Sequence, residues 1–193
     1  MSDISAVILA GGRSSRMGGR PKALLDIDGR KIIEIQISEL SKVFKNIYIA
    51  GGDRATFSRY APLIDDIYKG LGPIGGIYSA LKTLDRNLFV FGSDMPFIKS
   101  ELISKMCEEF ERYLPDILFA SLDGRLHPLH SVYSPSILEI LYSQIVKNRL
   151  RLMELKEIVV DVHYYVIDTE FAESIVNINT TEEYESYATK RDS

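Results

Sequence analysis

Residues 7–22 read VILAGGRSSRMGGRPK. An apolar run, which Ala6 extends at its start, stops at two adjacent glycines and gives way to three arginines and a lysine with no acidic residue among them. A short continuous apolar run closed by glycine suits a strand buried on both faces of a sheet. Gly11 and Gly12 lack a Cβ, so their amides can approach an anion closely. Arg13, Arg16 and Lys22 then add charge, the guanidiniums as forked donors and the lysine as a compact point charge. The chain as a whole carries net charge -4, so this basic loop is a local feature, suited to something small and anionic. It is not a Walker loop, because Lys22 lies between Pro21 and Ala23 where a Gly-Lys-Ser/Thr ending is required.

Working outward from that strand, further apolar runs bounded by turn residues occur at Ile47–Ala50, Leu88–Phe91 and Asp116–Ala120. Helical periodicity covers Lys31–Leu40, Ile74–Leu84 and Ser100–Leu114. Alternating strands and helices predict a three-layer α/β fold, a mostly parallel sheet with helices on both faces. The segment LHPLHSVYSP, residues 126–135, has alternating apolar positions with prolines at both ends, which predicts an edge or mixed-sheet strand. Helices over Ser136–Val146 and Arg151–Lys156 follow, then a strand-like IVVDVHYYVI at residues 158–167. Thr180 with Glu183 forms a capping-box pattern for a last helix.

The 193 residues, 46% hydrophobic and 26% charged, fit one domain over residues 1–193 with a full core. An acidic balance argues against nucleic acid or an anionic membrane as partner. No apolar stretch is long enough to span a bilayer, and the opening run lacks the basic segment of a secretory signal. The one cysteine, Cys107, sits on the apolar side of a helical pattern and reads as core, and a cytoplasmic location is expected.

In open α/β sheets ligands bind beyond the carboxyl ends of strands. Besides the first loop, two other stretches qualify. GLGPIG, Gly70–Gly75, satisfies G-x-G-x-x-G, but Tyr68, Lys69 and Pro73 point to a longer connection than a dinucleotide fingerprint uses, and a glycine wall against a base or ribose, Gly72 included, explains it equally. In SDMP, residues 93–96, Asp94 follows a strand and faces the basic loop, where a hard divalent cation bound to phosphates would sit. Ser100 is better placed than Asp94 to cap the next helix. Of the adjacent acids Asp65 and Asp66, one can face a site, and Asp66 is preferred as an acceptor for guanine amino and imino groups or a ribose hydroxyl. His127, His130 and His163 show no metal-ligand spacing and read as core or surface.

LAGGRSSRMGGRPKALL with GPIGGI, SDMP and NINTTEE in that order resembles the molybdenum cofactor guanylyltransferases over essentially the whole chain. The first motif alone marks a wider nucleotidyltransferase superfamily, with cytidylyltransferases tending to LAAG. The resemblance implies a Rossmann-like (GT-A-like) nucleotidyltransferase fold and transfer of GMP from GTP to the terminal phosphate of molybdopterin, releasing pyrophosphate. It implies that Leu9, Ala10 and Gly11 contact the nucleotide beside Gly12 and Arg13, and that Lys22 meets its phosphates. Gly51 stands where some relatives place a nucleotide-contacting asparagine, so its contact would be through backbone. Asp66 would bind the nucleoside, Asp94 would hold Mg²⁺, and Asn177 and Asn179 would meet the acceptor. Arg16, Lys22 and Asp94 are the expected catalytic set, and transient contact with cofactor-loading or recipient proteins is implied. Pro21 replaces an acidic residue common in relatives. The rival readings are a cytidylyltransferase or sugar- or polyol-phosphate nucleotidyltransferase, a non-catalytic nucleotide-binding protein, and a nicotinamide enzyme built on GLGPIG.

Overall fold

The computed structural model describes residues 3–11, 21–180 and 182–186. The opening apolar run forms β1 (Ile4–Leu9), every residue of it buried. After a 3-10 turn at Lys22–Leu24 come a short hairpin of β2 (Asp26–Ile27) and β3 (Arg30–Lys31), then α1 (Ile32–Leu40) and β4 (Ile47–Ala50). Next are α2 (Arg54–Phe57), β5 (Leu63–Ile64), α3 (Pro73–Leu84), β6 (Asn87–Gly92) and α4 (Ser100–Tyr113). The chain continues with β7 (Ile117–Leu122), β8 (Arg125–Tyr133), α5 (Leu138–Val146) and β9 (Val162–Val166).

The main sheet has the order β5-β4-β1-β6-β8-β7-β9. β8 alone runs against its neighbours β6 and β7, and the other pairings are parallel. This is the mostly parallel mixed sheet that the alternation predicts. Alternation along β1 divides the core: Ala6 and Ile8 pack under α1 and α4 with Phe89 and Phe91. Val7 and Leu9 pack under α3 and α5 with Leu88 and Val90. Period-2 side chains thus supply both faces, and helices cover each. Cys107 is buried on α4, where burial pushes its thiol up to about 12, as a core cysteine requires.

Of the two readings left open for residues 126–135, the mixed-sheet one holds: β8 is interior and antiparallel to both neighbours, although it contains Pro128. Its register against β7 shifts between Leu118 and Ala120, and at that irregularity Ser131 Oγ accepts from the Ala120 N–H at 3.1 Å and donates to the His127 carbonyl at 2.8 Å. A bulge is where an interior strand tolerates proline. Arg151–Lys156 is not α-helical: a 3-10 helix spans Leu152–Glu157. Ser100 does not cap α4, since Lys99 occupies that position without a side-chain cap, and the Ser100 N–H donates instead to the Glu39 carboxylate at 3.3 Å. Among the described residues no helix is long and apolar enough to cross a membrane.

Candidate active site at the strand ends

β1, β4 and β6 end level with one another, Leu9 being paired with Ala50 and with Gly92. The chain leaves β1 toward β4 and β5, then returns to β6 on the other side. A crevice at such a reversal of strand order is the usual ligand position in open α/β sheets.

On the β4 side the backbone itself forms the wall. Gly51 has φ +68°, and a Cβ there would come within 3.0 Å of Gly11 Cα. Only glycine lets these two segments approach so closely in that conformation. A narrow cleft beside them is lined by Leu9, Gly11, Ala50, Gly51, Asp66 and Gly72. Asp65 points away and pairs with Arg54 at 2.8 Å, its side chain 81% exposed. Asp66 turns inward, its Oδ1 buried without a hydrogen-bond partner, and burial, with the neighbouring Asp65 charge second, raises its pKa. A partly dry carboxylate without a donor is suited to accept hydrogen bonds from a ligand.

GLGPIG is not a dinucleotide turn. Residues 65–72 separate β5 from α3, and Gly72, with φ +66°, caps α3 ahead of Pro73. Gly76 lies inside α3, where a Cβ would meet Leu9 Cδ2 at 3.1 Å. These glycines bring α3 down onto the end of β1.

On the β6 side Lys22 is the hub. Pro21 has φ -60° and ψ 133°, a geometry its ring favours, and it delivers Lys22 into the 3-10 turn closed by Leu24 N–H to Pro21 C=O at 2.9 Å. Lys22 Nζ lies 3.3 Å from Asp94 Oδ2 and donates to Asn179 Oδ1 at 2.5 Å. The Ile178 N–H donates to the Asp94 carbonyl at 2.7 Å, tying the turn after β6 to the segment that carries both asparagines. Asn179 is itself held by its N–H to Glu183 Oε2 at 2.6 Å, while the Glu183 N–H donates to Thr180 Oγ1 at 3.0 Å. The capping pattern is therefore made with Asn179, one residue before the cap, as the reciprocal donor.

Beyond Asp94 a cavity of about 570 Å³ opens between β8 and the chain after β9. Its walls include Met95, Arg125, His127, Leu129, Ile175 and Asn177. Asn177 and Asn179, two residues apart, thus serve different places, one in the cavity wall and one at Lys22. His127 Nε2 is buried without a partner. Sequence reasoning gave His127 and Arg125 no role; the signal was the alternation of β8, which sets them on one side of that strand. His130 is core, packed edge-on against Phe89 and Phe91, and His163 pairs with Asp161 near the surface. Gln36 of α1 is a polar residue on the buried stripe Ile32, Ile33, Leu40, a position that composition and motifs do not single out.

Gly12, Arg13 and Arg16 lie outside the described residues. Leu9, Gly11, Gly51, Asp66 and Gly72 line the first cleft; Ala10 is not in its lining and is held by its N–H on the Ala50 carbonyl at 3.0 Å, while Lys22, Asp94 and Asn179 meet one another. Among the described residues no cluster of three or more metal-binding side chains exists. The one carboxylate at Lys22, Asp94, fits a Mg²⁺ ion that arrives with phosphates and keeps water ligands, not a resident all-protein metal centre.

Residues 6–157 match the model of the MobA-like NTP transferase domain. A protein of Aquifex aeolicus named "Probable molybdenum cofactor guanylyltransferase" is 34% identical, covering 91% of this chain and 86% of its own. One of the same name from Natranaerobius thermophilus is 33% identical, with 95% and 94% covered. The crystal structure of molybdopterin-guanine dinucleotide biosynthesis protein A from Archaeoglobus fulgidus superposes with a TM-score of 0.82 at 28% identity, covering 97% of this chain and 98% of that one. With its strand-end clefts, its lysine–aspartate hub and these matches, the chain belongs to the MobA-like nucleotidyltransferase family.

Proposed function

We propose that this nucleotidyltransferase moves GMP from GTP to the terminal phosphate of molybdopterin and releases pyrophosphate. The observation that carries this reading is the position of Lys22, Asp94 and Asn179 between the glycine-walled cleft and the 570 Å³ cavity. Nucleotide on one side and acceptor on the other would meet at those three residues. The names of the relatives supply the substrates.

The chemistry asks little of a general base. A phosphate monoester has a second pKa near 6 and is largely dianionic at neutral pH, so it can attack the α-phosphorus directly. One P–O bond forms to the acceptor phosphate oxygen, and the bond to the β-phosphate oxygen breaks, with pyrophosphate taking the electron pair. Catalysis is then alignment plus charge stabilisation. Asp66 accepts from the base, and the amides after β1 and Gly51 line the nucleoside. Lys22 places positive charge on the phosphates, with Arg16 of the same loop assigned to them as well. Asn179 holds the Lys22 ammonium, and Asn177 with Arg125 lines the acceptor side. A Mg²⁺ held by Asp94 would supply further charge for the leaving pyrophosphate.

Thermal stabilisation by GTP, CTP, ATP and UTP, each with and without Mg²⁺, tests the nucleotide assignment. A ligand at 100 times its Kd contributes about 2.7 kcal/mol. GTP with Mg²⁺ is expected to stabilise most, and a clear preference for CTP would move the protein to the cytidylyl reading.

A further inference from the structure

Gln36 is entirely buried on α1, among Ile32, Ile33 and Leu40. A buried amide is costly unless its groups are paired, yet its Oε1 has no partner. Its Nε2 donates twice, to the Gly92 carbonyl at 2.7 Å and to the Met95 carbonyl at 3.1 Å. Those two carbonyls bracket Ser93 and Asp94, so one side chain closes the whole turn that carries the carboxylate. The reverse orientation of the amide would put Oε1 against two carbonyl oxygens, and so the pairing is fixed by chemistry. The far side of the turn is held by the Ile178 N–H on the Asp94 carbonyl. Above it, Gly92 leaves room for the carboxylate: a Cβ at residue 92 would fall 2.9 Å from Asp94 Oδ1.

We infer that Gln36 is a positioning residue, whose amide clamps the turn after β6 so that the Asp94 carboxylate stands ready beside Lys22. Resting on the assignment of Asp94 as metal holder proposed above, this extends the active site through the sheet end into α1. Gln36 touches neither substrate, and it acts by fixing the direction in which Asp94 can point. A methionine of similar length would fill the same space and leave both carbonyls without their donor.

The test is Mn²⁺ binding to the protein–GTP complex, followed by the electron paramagnetic resonance of free Mn²⁺, for wild type, Gln36→Met and Gln36→Asn. Thermal midpoints and metal-free GTP affinity are measured on the same samples. Gln36→Met is expected to weaken Mn²⁺ binding at least about tenfold, the usual range when an outer partner of a metal ligand is lost. Metal-free GTP affinity should stay within about twofold of wild type. Gln36→Asn, with the amide one methylene shorter, should weaken Mn²⁺ less than Gln36→Met does, and it carries the comparison with wild type if Gln36→Met does not fold. Lower thermal midpoints with unchanged Mn²⁺ affinity would make Gln36 a packing residue only and overturn the inference. Wild type that binds GTP but no Mn²⁺ would instead overturn the assignment of Asp94, and the inference with it.

Discussion

Lys22 Nζ sits 3.3 Å from Asp94 Oδ2, joining the turn after the first loop to the turn after β6 across 72 positions of sequence. The Lys22 side chain is 33% exposed and that of Asp94 19%. So open a pair contributes about 0–1 kcal/mol to stability, and its placement at the strand ends points to catalysis. Lys22→Ala and Asp94→Asn should each lower turnover by at least about a hundredfold, the scale of one preorganised charged group. Thermal midpoints should change little. Turnover near wild type in both variants would remove the hub from the mechanism.

Gly92 and Gly51 separate pose from fold. In Gly92→Ala the Cβ has the far end of a side chain, Asp94 Oδ1 at 2.9 Å, as its closest neighbour, with Met95 Sδ at 3.4 Å and Leu129 Cβ at 3.6 Å in looser contact. The substitution should displace the carboxylate, raise the Mg²⁺ concentration needed for half-maximal rate, and leave the melting temperature nearly unchanged. Gly51→Ala places a Cβ 3.0 Å from Gly11 Cα at φ +68°. It should cost at least about 1–2 kcal/mol in stability and weaken GTP binding. Denaturant titrations of the two variants beside their Mg²⁺ activation curves make the comparison.

Asp66 should trade stability for binding. Its pKa is raised by burial first and by Asp65 second. Between the unfolded and folded pKa values the native chain therefore binds more protons than the unfolded one, and stability falls as pH rises through that window. Above that window the charged group opposes folding. Asp66→Asn is accordingly expected to raise the melting temperature of the free protein and to abolish the preference for GTP. Asp65→Asn, at the exposed pair with Arg54, should leave the GTP preference unaltered. Melting curves with and without GTP distinguish the two residues.

His130 predicts an acid limit with the opposite sign. Burial first, and His127 second, push its pKa down from 6.5 to about 3, and neither ring nitrogen has a partner. Unfolded chains bind the proton between those values and native chains do not, so stability is full above pH 6.5 and falls as pH drops toward 3. The slope from this residue is at most roughly 1.4 kcal/mol per pH unit. His130→Leu should flatten the decline between pH 6.5 and 5 in urea unfolding.

Much of this architecture was legible because buried parallel strands are written as plain apolar runs. β1, β4 and β6 fall where VILA, IYIA and LFVF stand, and the strand-end rule then points to Asp94 and the first loop. β8 was less legible: Pro128 argues for an edge unless a bulge absorbs it, and the bulge depends on a hydroxyl from Ser131 reaching another strand. The inward turn of Asp66 and outward turn of Asp65 follow from the Arg54 partner, a tertiary contact with no local signature. Gln36 carries its meaning through carbonyls 56 and 59 residues away. The cavity beyond Asp94 is assembled largely from β8 and the chain after β9, which no single motif spans.

The strand-end site is proposed to join a guanine nucleotide to molybdopterin. Pyrophosphate release from GTP with Mg²⁺, measured with and without molybdopterin and repeated with CTP, tests it most directly. The expected result is one pyrophosphate per acceptor consumed, with GTP far ahead of CTP and with no release when molybdopterin is omitted. Release that ignores molybdopterin, or that is as fast with CTP as with GTP, would contradict it.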